Sequence, residues 1–105
     1  MTGATVYILQ CRDGQYYVGL TRDDLEVRIA QHNAGTFDGW TKSRRPVRLV
    51  YSEEFTVIDD AIAVERRLKG WTRAKKEALI AGNFELLKKL SRNRSQFPRP
   101  STSSG

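Results

Sequence analysis

Thr5-Val6-Tyr7-Ile8-Leu9-Gln10-Cys11-Arg12-Asp13-Gly14-Gln15-Tyr16-Tyr17-Val18-Gly19 is the stretch whose register decides the fold. Two strand-like runs flank Asp13-Gly14, and an Asp-Gly pair in that setting is a strong short-range hairpin signal. Loop length fixes which side chains share a face, because a one-residue slip turns every side chain over. A two-residue loop pairs Gln10 with Tyr17 and puts Tyr7 and Tyr17 on opposite faces. A three-residue loop, Arg12-Asp13-Gly14, makes a type I turn with Gly14 in the left-handed conformation. That register pairs Cys11 with Gln15, Leu9 with Tyr17 and Tyr7 with Gly19, so both tyrosines lie on one face. We favour the three-residue register.

Beyond the hairpin the period changes. Thr21 and Asp24 are spaced like a capping box, with Asp23 and Glu26 as a competing frame, so a helix starts here. Leu25, Ile29 and His32 fall at i, i+4 and i+7, with Arg28 beside them, and Gly35 is a natural left-handed end. Residues 36–46 form a polar, basic loop containing Trp40, and residues 47–55 alternate like a third strand. Thr56 to Asp59 has the spacing of another capping box and opens a second long helix. Ile58, Ala61, Ile62 and Leu68 make its apolar stripe, and Glu65 sits inside that stripe. A carboxylate there is costly unless it meets a partner, a metal or a wet cleft. A short basic helix follows from Arg73 to Ala81, and a last one runs from Phe84 to about residue 90. From residue 92 the chain is rich in Ser, Arg and Pro, a composition that cannot bury a core.

The expected fold is therefore α/β of the α+β kind: a small three-stranded antiparallel sheet flanked by helices, in the order β-β-α-β-α-α-α. Residues 1–91 make one domain, and residues 92–105 make a disordered basic tail. One cysteine among 105 residues excludes an internal disulfide and suits a reducing compartment. No apolar run approaches the ~20 residues that span a bilayer, and the N-terminus lacks a signal pattern. The chain reads as soluble and cytoplasmic, with no membrane partner.

The net charge of +6 is uneven. Lys42, Arg44, Arg45 and Arg48 form one cluster without acids, and Arg66, Arg67, Lys69, Arg73, Lys75 and Lys76 form another. Such clusters suit a polyanion, because each phosphate contact releases counterions. A solvated helix face and a solubilising tail explain the charge equally well.

The residues with chemical potential converge on one place: two co-facial tyrosines, an arginine and a histidine on one helix edge, and a glutamate in the stripe of the next helix. Glu65 suits a hard cation such as Mg²⁺, which keeps several waters and takes only one or two carboxylates. Arg28 suits charge growing on phosphorus, since its planar fork matches phosphate oxygens. A tyrosine can accept a proton from water, although a free phenol near pH ~10 needs a metal or cation to help it. Singly, each tyrosine is explained as a strand aromatic, Arg28 as an ion-pair partner of Asp24, and His32 as a buried polar residue. Glu65 is not so easily absorbed.

The pattern resembles the GIY-YIG nuclease superfamily, most closely its small, stand-alone, single-domain bacterial members. Thr5-Val6-Tyr7 and Tyr17-Val18-Gly19 stand for the two named motifs, and residues 25–35 match the helix motif. Glu65-Arg66-Arg67-Leu68-Lys69-Gly70-Trp71 and the basic segment 73–80 match the later part, so the resemblance covers roughly residues 4–90. The first motif lacks its glycine and isoleucine, and Leu20 stands where repair relatives often place a lysine. The resemblance implies DNA hydrolysis with one divalent metal, Mg²⁺ or Mn²⁺, in repair or processing of structured or single-stranded DNA. It gives Tyr17 the role of general base, Tyr7 that of positioning the water or the base, and Arg28 that of stabilising the transition state. Glu65 holds the metal, and His32 stands where some relatives carry a tyrosine. Gly19 then leaves room opposite Tyr7 for water or phosphate. Lys42, Arg44, Arg45, Lys69, Arg73, Lys75 and Lys76 are weaker candidates for nucleic-acid contacts. The alternatives are a nucleic-acid-binding module with weak or no nuclease activity, and a protein-interaction domain with a basic surface.

Overall fold

The computed structural model describes residues 3–35 and 41–96, with side chains through Ser91. Its elements are strands β1 (Ala4–Gln10) and β2 (Tyr16–Thr21), helix α1 (Leu25–Ala34) and strand β3 (Arg48–Phe55), then helices α2 (Ile58–Lys69), α3 (Arg73–Ile80) and α4 (Phe84–Gln96). A short 3₁₀ turn, Lys42–Arg44, precedes β3. The expected order is present. The chain divides into two compact units, Met1–Gly70 and Trp71–Gly105. Among the described residues no helix is long and apolar enough to cross a membrane.

In the first unit the sheet order is β2-β1-β3, all antiparallel. β1 is central, which explains why it reads as an almost unbroken apolar run: Val6, Tyr7, Ile8 and Leu9 are all buried. The hairpin takes the three-residue register, with Leu9 opposite Tyr17 and Tyr7 opposite Gly19. Cys11 N–H donates to the Gln15 carbonyl, Gly14 N–H donates to the Cys11 carbonyl, and Gly14 has φ of 86°. Asp13 braces the turn by accepting from Gln15 N–H at 3.1 Å and from Arg44 Nε at 3.0 Å.

β3 begins at Arg48, and its alternation is broken. Ile8 faces Tyr51 whereas Leu9 faces Leu49, so Val50 is the extra residue of a bulge. α2 packs across all three strands, with Ala61 and Leu68 buried. The Tyr7, Leu9, Cys11 side of β1 joins Val47 in one apolar cluster, against which Leu25 and Ile29 of α1 and Tyr17 of β2 pack.

The helix starts differ from the expected boxes. α1 is capped by Asp24, whose carboxylate accepts from Glu26 N–H at 2.8 Å, while Thr21 Oγ1 accepts from Asp23 N–H. α2 has Val57 at its N-cap, one residue later than Thr56. Gly35 closes α1 with φ of 76°, as its position suggests.

In the second unit Thr72 caps α3 and Asn83 caps α4, its side chain accepting from Leu86 N–H at 3.1 Å. α4 runs to Gln96, past the expected end and into the segment expected to lack structure. Extending a helix is far easier than starting one.

Candidate active site

Each candidate catalytic side chain belongs to the first unit. β1 supplies Tyr7, β2 Tyr17, α1 both Arg28 and His32, and α2 Glu65. The hairpin register sets the two tyrosines on one face, with ring centroids 6.4 Å apart. His32 closes the group edge-on, 6.1 Å from the Tyr7 ring and 5.1 Å from the Tyr17 ring. Arg28 and His32 lie four residues apart, hence on one face of α1.

His32 is buried and engaged at both ring nitrogens. Nε2 lies 3.1 Å from the Tyr7 hydroxyl, and Nδ1 lies 3.1 Å from Thr41 Oγ1, itself buried. A neutral imidazole must donate through one nitrogen and accept through the other. Burial, reinforced by the Arg28 charge, holds its pKa below the usual histidine value, so the ring is neutral at physiological pH. Phenol is the stronger acid of the two hydroxyls and imidazole nitrogen the strongest acceptor. The favoured chain therefore runs from Tyr7 O–H to Nε2, and from Nδ1–H to Thr41.

Tyr7 is fully buried, and its pKa is pushed up to about 12, first by burial and then by Tyr17. The Arg28 charge opposes that rise and the Glu65 charge adds to it, so both ions act on this hydroxyl. Tyr7 thus keeps its proton at neutral pH and serves as a hydrogen-bonding group, whereas Tyr17 retains part of its surface to solvent. The space opposite Tyr7 does not stand open, contrary to the expectation for Gly19. A Cβ on Gly19 would lie 2.6 Å from the Tyr7 hydroxyl and 2.9 Å from Tyr17 Cε2, so the glycine makes room for the tyrosines themselves.

Glu65 does find a partner. Its side chain keeps 17% of its surface, and Oε2 lies 2.9 Å from Lys69 Nζ one turn on. Arg28 Nη2 lies 3.7 Å from Asp23, not Asp24. Among the described residues no group of three His, Cys, Asp or Glu side chains converges as a metal cage. A lone, mostly sequestered carboxylate suits Mg²⁺ or Mn²⁺, which accept a largely aqueous shell, and not zinc, which takes three or four protein ligands.

The basic candidates separate. Arg44 is tied to Asp13 and Lys69 to Glu65. Arg45 donates from Nε to the Lys42 carbonyl at 2.8 Å and from Nη1 to the Asn33 carbonyl at the end of α1. In the second unit Arg73 pairs with Glu77, and Lys75 is buried with its ammonium 4.9 Å from the Trp71 ring, so it is no open phosphate contact. Burial also lowers the Lys76 pKa. Trp40 lies outside the described residues.

Two positions carry weight that the sequence did not single out. Thr41 orients His32. Asn33 grips the backbone of Val47 twice, donating from Nδ2 to its carbonyl at 3.0 Å and accepting from its N–H at 2.7 Å. No local pattern announces either contact, since both join segments separated by the 36–40 stretch.

Residues 3–78 match the GIY-YIG catalytic domain. A UPF0213 protein of Streptococcus pneumoniae is 40% identical over 80 residues, covering 76% of this chain and 80% of that protein. UPF0213 protein VNG_2274C of Halobacterium salinarum is 45% identical over 75 residues, covering 71% of this chain and 96% of that protein. The solution NMR structure of UPF0213 protein BH0048 from Bacillus halodurans matches with TM-score 0.51 and 38% identity, covering 76% of this chain and 84% of that one. That of EF2693 from E. faecalis matches with TM-score 0.56 and 34% identity over 82% and 90% of the two chains. With its two tyrosines, helix arginine and stripe glutamate gathered in the unit these matches cover, the chain belongs to the GIY-YIG catalytic domain family, alongside the small UPF0213 proteins.

Proposed function

We propose that this protein hydrolyses phosphodiester bonds in DNA with the help of one divalent metal, in repair or processing of structured or single-stranded DNA. The observation that carries this reading is the group around the Tyr7 hydroxyl: His32 bonded to it, Tyr17 against both rings, and the charges of Arg28 and Glu65 acting on it. Such a group offers a proton acceptor, a cation for phosphate oxygens and an oxygen ligand for a metal.

In this mechanism Tyr17 acts as general base in its phenolate form, taking a proton from the attacking water as the new P–O bond forms and the bond to the leaving oxygen breaks. Solvent water returns a proton to the leaving oxygen. Arg28 sets its fork against the non-bridging oxygens, where negative charge grows. Tyr7, held by His32, orients Tyr17 and the water and does not itself give up its proton. Glu65 holds the Mg²⁺ or Mn²⁺, which when bound polarises the phosphate as a Lewis acid.

The test is cleavage of a panel of branched, damaged, single- and double-stranded DNA with Mg²⁺, Mn²⁺ or chelator. Metal-dependent cleavage by wild type is expected. Removing a general base typically costs about 10²- to 10⁴-fold. Tyr17→Phe should therefore lower turnover by that order while leaving affinity near wild type, and Glu65→Ala should abolish the metal response. Binding without cleavage of any substrate would instead favour a nucleic-acid-binding module.

A further inference from the structure

Two neighbouring concavities share Arg12 and Pro46 and so form one groove. At one end Arg48 lines it beside Gln10; at the other Lys42 and Arg45 line it beside Asn33. Among the described residues four cationic side chains thus line this groove, and no carboxylate does.

Two of these cations are held in place. Arg45 is fixed by its two carbonyl acceptors, and a Cβ on Gly35 would meet its Nη1 at 2.6 Å, so the guanidinium lies close against the end of α1. Those acceptors are neutral carbonyls, which orient the guanidinium without cancelling its charge. Arg48 is steered by Gln10 Oε1 at 2.6 Å, another neutral acceptor. Asn33 pins Val47 on the groove wall, and Arg12 N–H donates to the Arg44 carbonyl, joining the hairpin turn to the loop before β3. Guanidinium groups oriented in this way match phosphate oxygens along a strand.

The groove shares its floor with the active site. Cys11 lines it and belongs to the same buried cluster as Leu9 and Tyr7. Four residues separate Cys11 from Tyr7, or about 13 Å at the ~3.3 Å rise of a strand. The groove therefore lies within a few nucleotides of a phosphate held at the tyrosines.

We propose that this groove holds the phosphodiester backbone flanking the reacting phosphate, so that the hairpin turn and the loop before β3 act as a strand-tracking surface for nucleic acid. The proposal rests on the phosphodiester substrate inferred above and adds the footprint by which that substrate is held.

The test measures binding alone, by fluorescence anisotropy of end-labelled oligonucleotides of decreasing length, in chelator and across a range of salt. Each phosphate contact contributes a slope of about 0.7 to 0.9 to the logarithmic salt dependence. Arg12→Ala and Arg45→Gln should each weaken binding and flatten the slope by about that amount. Arg12 is exposed, so its variant reads out the groove even if the Arg45 variant unsettles the loop. Lys89→Ala removes the same charge from an exposed position of α4 outside the groove and should leave the slope at the wild-type value. On oligonucleotides too short to reach the groove, wild type and Arg12→Ala should bind alike. Wild-type slopes in both groove variants, or an equal change in Lys89→Ala, would overturn the proposal, as would absence of nucleic-acid binding by wild type. Because no metal is present, a protein that binds through the groove yet never cleaves separates this result from failure of the nuclease mechanism.

Discussion

Gly19 and Tyr7 face each other across the first strand pair so closely that the glycine's missing side chain is the tyrosine's space. A methyl group there would come within 2.6 Å of the Tyr7 hydroxyl and within 2.9 Å of Tyr17. Tyr7 is fully buried and has little freedom to retreat. Gly19→Ala should therefore lower unfolding free energy by about 1 to 3 kcal/mol, the usual cost of overpacking. It should also pull the Tyr7 hydroxyl off His32. Urea denaturation gives the first quantity; a wild-type midpoint would show that the rings repack freely.

The chain has one histidine, so His32 supplies a single, unambiguous imidazole signal. Its proton resonance should titrate below the ordinary value near ~6.5. A group with a lowered native pKa leaves stability intact above the unfolded value and loses it as pH falls, so acid should weaken the fold from about pH 6.5 downward. Thr41→Val, which removes the Nδ1 partner while keeping the shape, should cost about 1 to 3 kcal/mol and change the ¹⁵N tautomer signature. Thr41→Ser should restore both. If Val and Ser variants give the same spectrum, Thr41 does not orient the ring.

Alkali should act through Tyr7. With its pKa raised to about 12, the contribution is complete below about pH 10 and fades as pH climbs from 10 to 12. Two units correspond to about 2 to 3 kcal/mol. Tyr51, hydrogen-bonded to Glu53 at 2.8 Å, is pushed up to about 12 as well. The informative measurement is thus the difference in stability between wild type and Tyr7→Phe across that range, which should shrink as pH rises.

Lys69 lies where a divalent cation would approach Glu65 Oε2. Lys69→Met should tighten Mn²⁺ binding a few-fold, in keeping with the ~0.2 to 1 kcal/mol of a partly exposed ion pair. Calorimetric titration of the metal reads this without any substrate. Equal affinities would mean that the lysine gives way without cost.

Much of this architecture is legible in the chain. The Asp13-Gly14 turn carries its own register, because only a three-residue loop puts Tyr7 opposite a glycine, and the two tyrosines then have to share a face. Glu65 is conspicuous because helical phase alone sets it among apolar neighbours. The contacts that escape are those made across the chain. Thr41 and His32 are nine residues apart and joined by no periodicity. The Val50 bulge arises from pairing with β1, which local alternation cannot reveal. The capping boxes went astray by one to three residues because several Asp and Thr side chains compete for the same N–H groups. α4 extends beyond its expected end because helices, once begun, propagate through indifferent residues.

The central position of β1 has a consequence for when the site can fail. Tyr7 sits on the strand whose two edges are both hydrogen-bonded to neighbours. Its amide can meet deuterated solvent only when the sheet itself comes apart, so exchange there should report global unfolding. Local fraying of the loop before β3 leaves that strand paired on both sides, so the arrangement of the tyrosines outlasts the periphery.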